Sequence, residues 1–394
     1  MRRVYLKPGR ERPVRNGHPW IFSGAIDATD GAADGVGVAD VFDHRKTWIA
    51  RGLYNPASQI RVRVLTSKDE PIDGAFFKRR ISRALALREK YVAPQATGYR
   101  VINGEGDFLP GLIVDRYAGF FVCQFMTAGM EQYKRIIIDI LMESASAAAC
   151  QGVFERSDGR VREEEGLGPS VGLLAGQEPP ELIEIEENGF KFLVDVRRGQ
   201  KTGFFLDQRD NRQFLAGLAR DATVLNCFSY SGAFGIYALG AGARAVISLD
   251  SSRPALELAE KNFALNQVRG DNIELIKGDA FAYLKDGAAA FDIVVLDPPS
   301  LAHRRGDVEA ATGGYKFLNL HALKRTQIGG FLLTFSCSQH VSSDLFQKVV
   351  FGAAVDAGRR VAILKKLGPP SDHPVSLHHP EGEYLKGLVL RVLD

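Results

Sequence analysis

The sequence predicts an α/β fold: a C-terminal, mostly parallel sheet with helices on both faces, preceded by a small β-barrel and a compact α+β region. Three patterns carry this. From about residue 195, apolar strand-like runs alternate with helical stretches, the grammar of a parallel sheet. Residues 1 to about 70 hold short strands divided by Gly, Asp and Pro, and the stretch between mixes both kinds of element. The expected domains are 1–72, 73–194 and 195–394.

In the first region the strands are Val36–Phe42, Thr47–Tyr54 and Gln59–Leu65, a string that suits a barrel with basic rims. A basic helix, Ala75–Glu89, opens the second region. Gly111–Asp115 and Phe120–Phe125 follow as paired strands, and Glu187-Asn188-Gly189 is a turn signal between Leu182–Glu186 and Phe190–Val194. The third region offers strands at Thr223–Asn226, Ala245–Asp250, Asn272–Ile276, Phe291–Asp297 and Gly330–Phe335, then Arg360–Lys366 and Gly387–Leu393. Helices fall at Arg253–Asn266 and Tyr315–Gln327 among others. Ligands of such sheets bind at the carboxyl ends of the strands.

With 394 residues, 45% hydrophobic and 25% charged, each domain can bury a core without staples. Net charge is only +3, but residues 1–100 hold nineteen Lys/Arg against ten Asp/Glu, the footprint of a polyanion partner or simply a solvated face. Four scattered cysteines, Cys123, Cys150, Cys227 and Cys337, give neither a disulfide framework nor zinc spacing. They suit a reducing cytoplasm. No apolar run reaches membrane-spanning length, and no signal-peptide pattern opens the chain, so the expectation is a soluble, cytoplasmic protein without membrane contact. The histidines, including His18, His44, His303, His321, His373 and the pair His378-His379, lack metal-ligand spacing. They read as surface or loop residues, and no metal is expected.

Carboxylates end successive strands. Asp250 closes the second, Asp279 follows the third and Asp297 closes the fourth. An acid ending a second strand can accept hydrogen bonds from a ribose, and one after a third strand can meet an adenine amino group. Each Asp alone is a weak signal, because Asp is common at strand ends, but the succession is stronger. The first strand leads through Asn226–Gly232 into a helix from about Ala233, where backbone N–H groups can approach a ligand. Gly232 is equally well read as a plain turn. No G-x-G-x-x-G fingerprint is present, which disfavours a dinucleotide oxidoreductase.

The chemistry lies in two motifs on adjacent strand ends, Asp297-Pro298-Pro299-Ser300 and Thr334–Ser338. The two prolines fix a rigid, extended exit from the strand. A lone cysteine is most often a small buried hydrophobe, the reading given to Cys123, Cys150 and Cys227. Cys337 differs in lying just beyond a buried strand, among hydroxyls and near a carboxylate. Carbon 5 of cytosine is too weak a nucleophile to attack a methyl sulfonium directly. Thiolate addition at carbon 6 makes it enamine-like, the problem a cysteine nucleophile solves. Asp297 can then bond or protonate N3.

These motifs resemble the PUA-domain-containing class I methyltransferases that make 5-methylcytosine in large-subunit (23S) ribosomal RNA, over essentially the whole length. Gly17–Gly24 resembles the family's PUA signature and Val101–Arg116 its intermediate domain. Lys201–Arg209, the Asn226–Gly232 loop, Asp297–Ser300, His373–Val375 and Glu383–Gly387 also match. The resemblance implies a Rossmann-like, mostly parallel seven-stranded sheet, an N-terminal β-barrel PUA domain and a small α+β middle domain. It implies S-adenosylmethionine as cofactor, with Phe205, Asn226, Phe228, Ser229, Gly232, Asp250, Ser251, Asp279, Ala280 and Asp297 lining its pocket. Cys337 would be the nucleophile, and Arg209, Pro298, Pro299, Tyr315 and Lys316 would stand near the RNA. The PUA domain and helix 75–89 would hold structured RNA by shape and phosphates, with the target base flipped into the pocket. The resemblance is compatible with a homodimer, and the sequence leaves the oligomeric state open. Better-known cytosine-5 RNA methyltransferases carry a second cysteine after the fourth-motif proline, where this chain has Ser300.

Two rivals stay open. An amino-group methyltransferase acting on adenine or guanine also uses Asp-Pro-Pro, usually followed by an aromatic residue that stacks the base; Ser300 cannot stack. An RNA-binding assembly factor with a vestigial methyltransferase fold would have no need of intact strand-end acids or of Cys337. The base that removes the carbon-5 proton has no candidate in the sequence.

Overall fold

A computed structural model describes residues 1–31, 35–144, 150–268, 271–302 and 304–394; His303 lies outside them. The chain forms two compact units. The first holds Met1–Ile185, Val194–Leu206 and Ser371–Gly382; the second holds Glu186–Leu193, Asp207–Pro370 and Glu383–Asp394.

In the first unit, β1 (Arg2–Leu6), β2 (Trp20–Phe22), β3 (Ile26–Asp30), β4 (Gly37–Phe42), β5 (Trp48–Tyr54) and β6 (Ile60–Thr66) form one sheet in the order β2-β6-β5-β4-β1-β3. Three of these strands were expected. The others are short, and β1 is held between β3 and β4 by pairing with both, which no local pattern encodes. Helix α1 (Glu11–Arg15) lies between β1 and β2. Helix α2 (Gly74–Tyr91) starts on the Asp73 carboxylate, which accepts the Phe76 N–H. A second sheet, of β7 (Gly98–Asn103), β8 (Leu112–Tyr117), β9 (Phe120–Phe125), β10 (Gly152–Ser157) and β11 (Ser170–Gly176), includes the expected antiparallel pair β8–β9. The short helices α3 (Ala128–Glu131), α4 (Lys134–Glu143) and α5 (Val161–Glu164) complete this part.

Buried ion pairs brace this unit. Arg88, 1% exposed, makes a bidentate pair with Asp107 and donates to the Asp372 carbonyl. Arg100 pairs likewise with Asp115, which also accepts from the Thr202 hydroxyl. His373 and His379 do lie in a loop segment, but both are buried rather than at the surface. His379 packs against the Trp20 ring at 4.3 Å, and His373 meets the Asp372 carboxylate.

The strands β12 (Ile183–Glu187) and β13 (Phe190–Val194) turn at Asn188 and Gly189, both with positive φ (50° and 82°), the geometry of a two-residue hairpin. The seven-stranded sheet of the second unit comprises β14 (Thr223–Cys227), β15 (Ala245–Asp250), β16 (Ile273–Lys277), β17 (Phe291–Leu296), β18 (Thr326–Ser336), β19 (Val361–Leu367) and β20 (Lys386–Val392). Their order is β16-β15-β14-β17-β18-β20-β19, parallel through β18, with β20 antiparallel to both neighbours. The strand order reverses between β14 and β17, the switch point where ligands of such sheets bind. The central strands are apolar on both faces because helices cover both: Leu225, Val294 and Leu332 face one core cluster and Val224, Val295 and Leu333 the other.

The helices here are α6 (Arg209–Ala216), α7 (Ala233–Gly240), α8 (Arg253–Leu265), α9 (Ala280–Asp286), α10 (Val308–Arg325) and α11 (Ser343–Ala357). Helix α10 starts seven residues earlier than the sequence suggested and ends at Arg325, and β18 begins at Thr326 rather than Gly330. Gly313-Gly314 weakens the local helix signal, but a side chain at Gly314 would press on Leu301, so packing favours glycine there. Glu187 is fully buried and takes a bidentate ion pair from Arg212 and a hydrogen bond from Tyr237. Replacing Arg212 by Ala strands that carboxylate and is expected to cost about 3–5 kcal/mol. Urea unfolding of the full chain should show it as a lower midpoint, and adding Glu187→Leu should recover much of the loss.

Candidate active site

The parallel register brings the candidate residues to one rim. Cys227 of β14 stands opposite Leu249 of β15 and Leu296 of β17, and Leu296 stands opposite Thr334 of β18. Asp250 and Asp297 therefore leave the sheet at nearly the same level, with Cys337 three residues past Thr334.

The loop after β14 is bent unusually. Phe228 (φ 58°), Tyr230 (46°) and Gly232 (80°) are all left-handed, and a non-glycine residue held there costs about 1–3 kcal/mol. Alternation of this kind turns successive N–H groups toward one side. Gly232 is required, because a Cβ on it would strike Phe263 at 2.9 Å. The Tyr230 N–H and the Ser252 N–H each donate to one oxygen of Asp250, at 2.8 Å. Those bonds aim the carboxylate and leave it lone pairs for further donors. Ser251 is exposed beside it. The Asn226 amide nitrogen and the Ser229 hydroxyl are buried and make no hydrogen bond among the described residues, a costly state that calls for a ligand. Asp279 is exposed and caps α9, accepting the Ala282 N–H, with Ala280 buried behind it. Phe205 belongs to the first unit, its ring under the Lys201 ammonium at 4.7 Å.

Asp297 accepts from the Gln208 amide at 3.0 Å; Gln208 is itself held by Asn211, which donates to the Gly368 carbonyl. Arg209, buried at the start of α6, lies within 3.5 Å of the Asp210 carboxylate. Pro298 is buried and Pro299 exposed. The Cys337 thiol is half-buried, with Sγ 3.9 Å from the Pro298 carbonyl. Ser338 joins the two motifs: its buried hydroxyl meets Ser300 Oγ at 3.1 Å and Tyr315 Oη at 2.8 Å, and accepts the N–H groups of Leu301 and Ala302. Tyr315 is thus fully buried, its hydroxyl pushed up in pKa by burial. Lys316 is paired with Asp356 on α11 at 2.7 Å. Sequence reasoning missed Gln208, Ser338 and Lys386. A charged residue inside the apolar run Leu385–Leu390 was the available signal for Lys386.

Burial separates the cysteines. Cys227 is fully buried and its pKa is pushed up to about 12. Burial also pushes the Cys123 thiol well up and raises the half-buried Cys150. Among the described residues no group of His, Cys, Asp or Glu could hold a metal ion, and no described helix is long and apolar enough to cross a membrane.

The reversed strand order, the left-handed loop and the strand-end acids define a class I S-adenosylmethionine-dependent methyltransferase. A family model described as S-adenosylmethionine-dependent methyltransferase matches residues 111–346, and a PUA-like domain matches residues 4–67. Proteins named ribosomal RNA large subunit methyltransferase I, from Pseudoalteromonas atlantica and Shewanella frigidimarina, are each 46% identical over 396 residues, 99% of both chains. The chain belongs to this ribosomal RNA large subunit methyltransferase I family. A solved methyltransferase of Streptococcus mutans, 22% identical with a TM-score of 0.85 over 100% of both chains, has the same fold.

S-adenosylmethionine is the cofactor of the family, and the residues present suit it. The Asn226 amide nitrogen and the Ser229 hydroxyl, unpartnered among the described residues, the converging N–H groups and an aimed Asp250 are donors and acceptors for an amino acid moiety and a ribose. Asp250→Ala should weaken S-adenosylmethionine binding by about 1–3 kcal/mol through lost hydrogen bonds, measured by calorimetry. Unchanged affinity would move the pocket elsewhere.

Proposed function

We propose that this protein makes 5-methylcytosine in large-subunit ribosomal RNA, with Cys337 as nucleophile. In this reading residues 1–72, 73–194 and 195–394 are its RNA-binding, intermediate and catalytic domains. The observation that carries it is the half-buried Cys337 thiol beside the Asp297-Pro298 turn, while burial holds Cys123 and Cys227 as inert thiols. Methylation of an exocyclic amine needs no thiol at this place.

S-adenosylmethionine supplies an electrophilic methyl group. Cys337 adds as thiolate to carbon 6 of the flipped cytosine, and the electron pair of the 5,6 double bond makes carbon 5 nucleophilic. Asp297, steadied by Gln208, bonds or protonates N3 and holds the adduct. Once carbon 5 is methylated, its proton passes to a base or water, the C–H electron pair re-forms the 5,6 double bond, and the C6–S pair leaves with Cys337 as thiolate. A single cysteine serves both steps, since Ser300 is committed to Ser338 and the Ala302 carbonyl. Asn226, Phe228, Ser229, Asp250 and Asp279 are the proposed cofactor contacts, and the basic stretch 1–100, with its PUA-like domain and helix α2, the RNA-holding surface.

Nucleoside mass spectrometry of RNA from cells lacking the protein should show loss of one 5-methylcytosine from the large-subunit RNA. Loss of a methylated purine would replace the reading by amino-group transfer. With purified protein, Cys337→Ala should abolish methylation and leave S-adenosylmethionine affinity unchanged, because the thiol acts on the base. Full activity of that variant would remove the nucleophile.

A further inference from the structure

A buried lysine stands behind Cys337. Lys386 begins β20, paired with Ser336 of β18, the residue just before Cys337. It is 5% exposed at the start of a strand whose next four residues, Gly387–Leu390, are all buried and uncharged. Its ammonium donates to the Ser338 carbonyl at 2.7 Å and the Val341 carbonyl at 2.6 Å. These two bonds pin the chain immediately after the cysteine. They use two of the three N–H groups, and neither acceptor carries a full charge. Lys386 makes no ion pair among the described residues, and an ammonium buried in that state is costly. Among the described residues, Tyr315 on α10 and Lys386 on β20 act on the thiol, Asp297 precedes the Pro298 whose carbonyl is 3.9 Å from Sγ, Glu383 acts on Lys386, and Tyr384 is bonded to Asp207. Of these described groups, Lys386 is the one that carries a positive charge.

We propose that Lys386 is a positioning residue that fixes the Cys337 loop and stabilises Cys337 as the thiolate. The thiolate is the reactive form, and a neighbouring cation is what lowers a cysteine's pKa. Burial pushes the Lys386 ammonium below its ordinary value, while a Cys337 thiolate and Glu383 pull it back up. The two groups therefore favour each other's charged forms. This assignment deepens the proposed function and rests on Cys337 being its nucleophile, but its test does not need RNA.

The test is the pH dependence of Cys337 alkylation by iodoacetamide in the full-length protein, followed by mass spectrometry of the peptide containing Cys337. Wild type is compared with Lys386→Gln, which keeps hydrogen bonding without charge, and Lys386→Arg, which keeps charge. S-adenosylmethionine binding and thermal melting report that each variant is folded. In Lys386→Gln the midpoint should rise by about one pH unit, leaving about tenfold less thiolate at neutral pH, and Lys386→Arg should stay close to wild type. An unchanged midpoint in folded Lys386→Gln overturns the proposal, as does an equal rise in both variants, because then charge is not the cause. If Lys386→Gln fails to fold, Lys386→Met and Lys386→Arg decide the matter in the same way. Should all neutral variants unfold, Lys386 is a structural strut and the proposal falls. A shifted midpoint together with methylation by Cys337→Ala would retire the nucleophile and leave the thiolate–ammonium pair standing.

Discussion

Parallel pairing of β14 with β15 and β17, and of β17 with β18, governs everything at the rim. Each pairing fixes which residues end together, and a slip by one would send every side chain to the opposite face. The slip is prevented by burial, because Val294, Val295, Leu332 and Leu333 have no exposed surface. With that register set, Asn226, Asp250, Asp297 and Cys337 emerge along one edge of the sheet, on either side of the point where strand order reverses. Catalytic geometry here is a by-product of hydrophobic strand packing.

Beyond the strand ends the chain accepts local cost. Two non-glycine residues, Phe228 and Tyr230, are held left-handed, and polar atoms of Asn226 and Ser229 are buried without a partner among the described residues. Sites that must bind charged or polar ligands keep such features, and the surrounding packing offsets them. A few residues further on, the opposite rule applies. Ser338 has every hydrogen-bonding capacity engaged by Ser300, Tyr315 and two backbone N–H groups, which makes a rigid joint between the loops that follow β17 and β18. Rigid support beneath a site and unsatisfied groups at its surface are complementary, since preorganisation is what lets a site bind a polar or charged ligand.

In the first unit, motif residues serve stability. Asp107 and Asp115, within the stretch 101–116, receive the bidentate guanidinium groups of Arg88 and Arg100. Breaking such a buried pair leaves one uncompensated charge. Arg88 also secures the segment carrying Asp372 and His373. A charged motif is as readily a set of internal struts as a binding surface.

Much of this was legible in the chain itself. Alternating apolar runs gave the order and type of elements in the second unit, with Phe190–Val194 and Ala245–Asp250 placed to the residue, because their patterns depend only on local spacing. Strand-end acids, the Asp-Pro-Pro turn and the odd cysteine marked the residues that the register brings to one rim. The short strands β1, β2 and β3 were not visible, nor was the start of α10 across Gly313-Gly314, because their stability comes from partners distant in sequence. The same reason hid Gln208, Ser338 and Lys386. Residue type and spacing announce which groups can do chemistry. Only tertiary structure decides that Tyr315 is buried to hold a serine, that Lys316 turns to Asp356, and that an ammonium 49 positions along the chain from Cys337 grips the loop behind it.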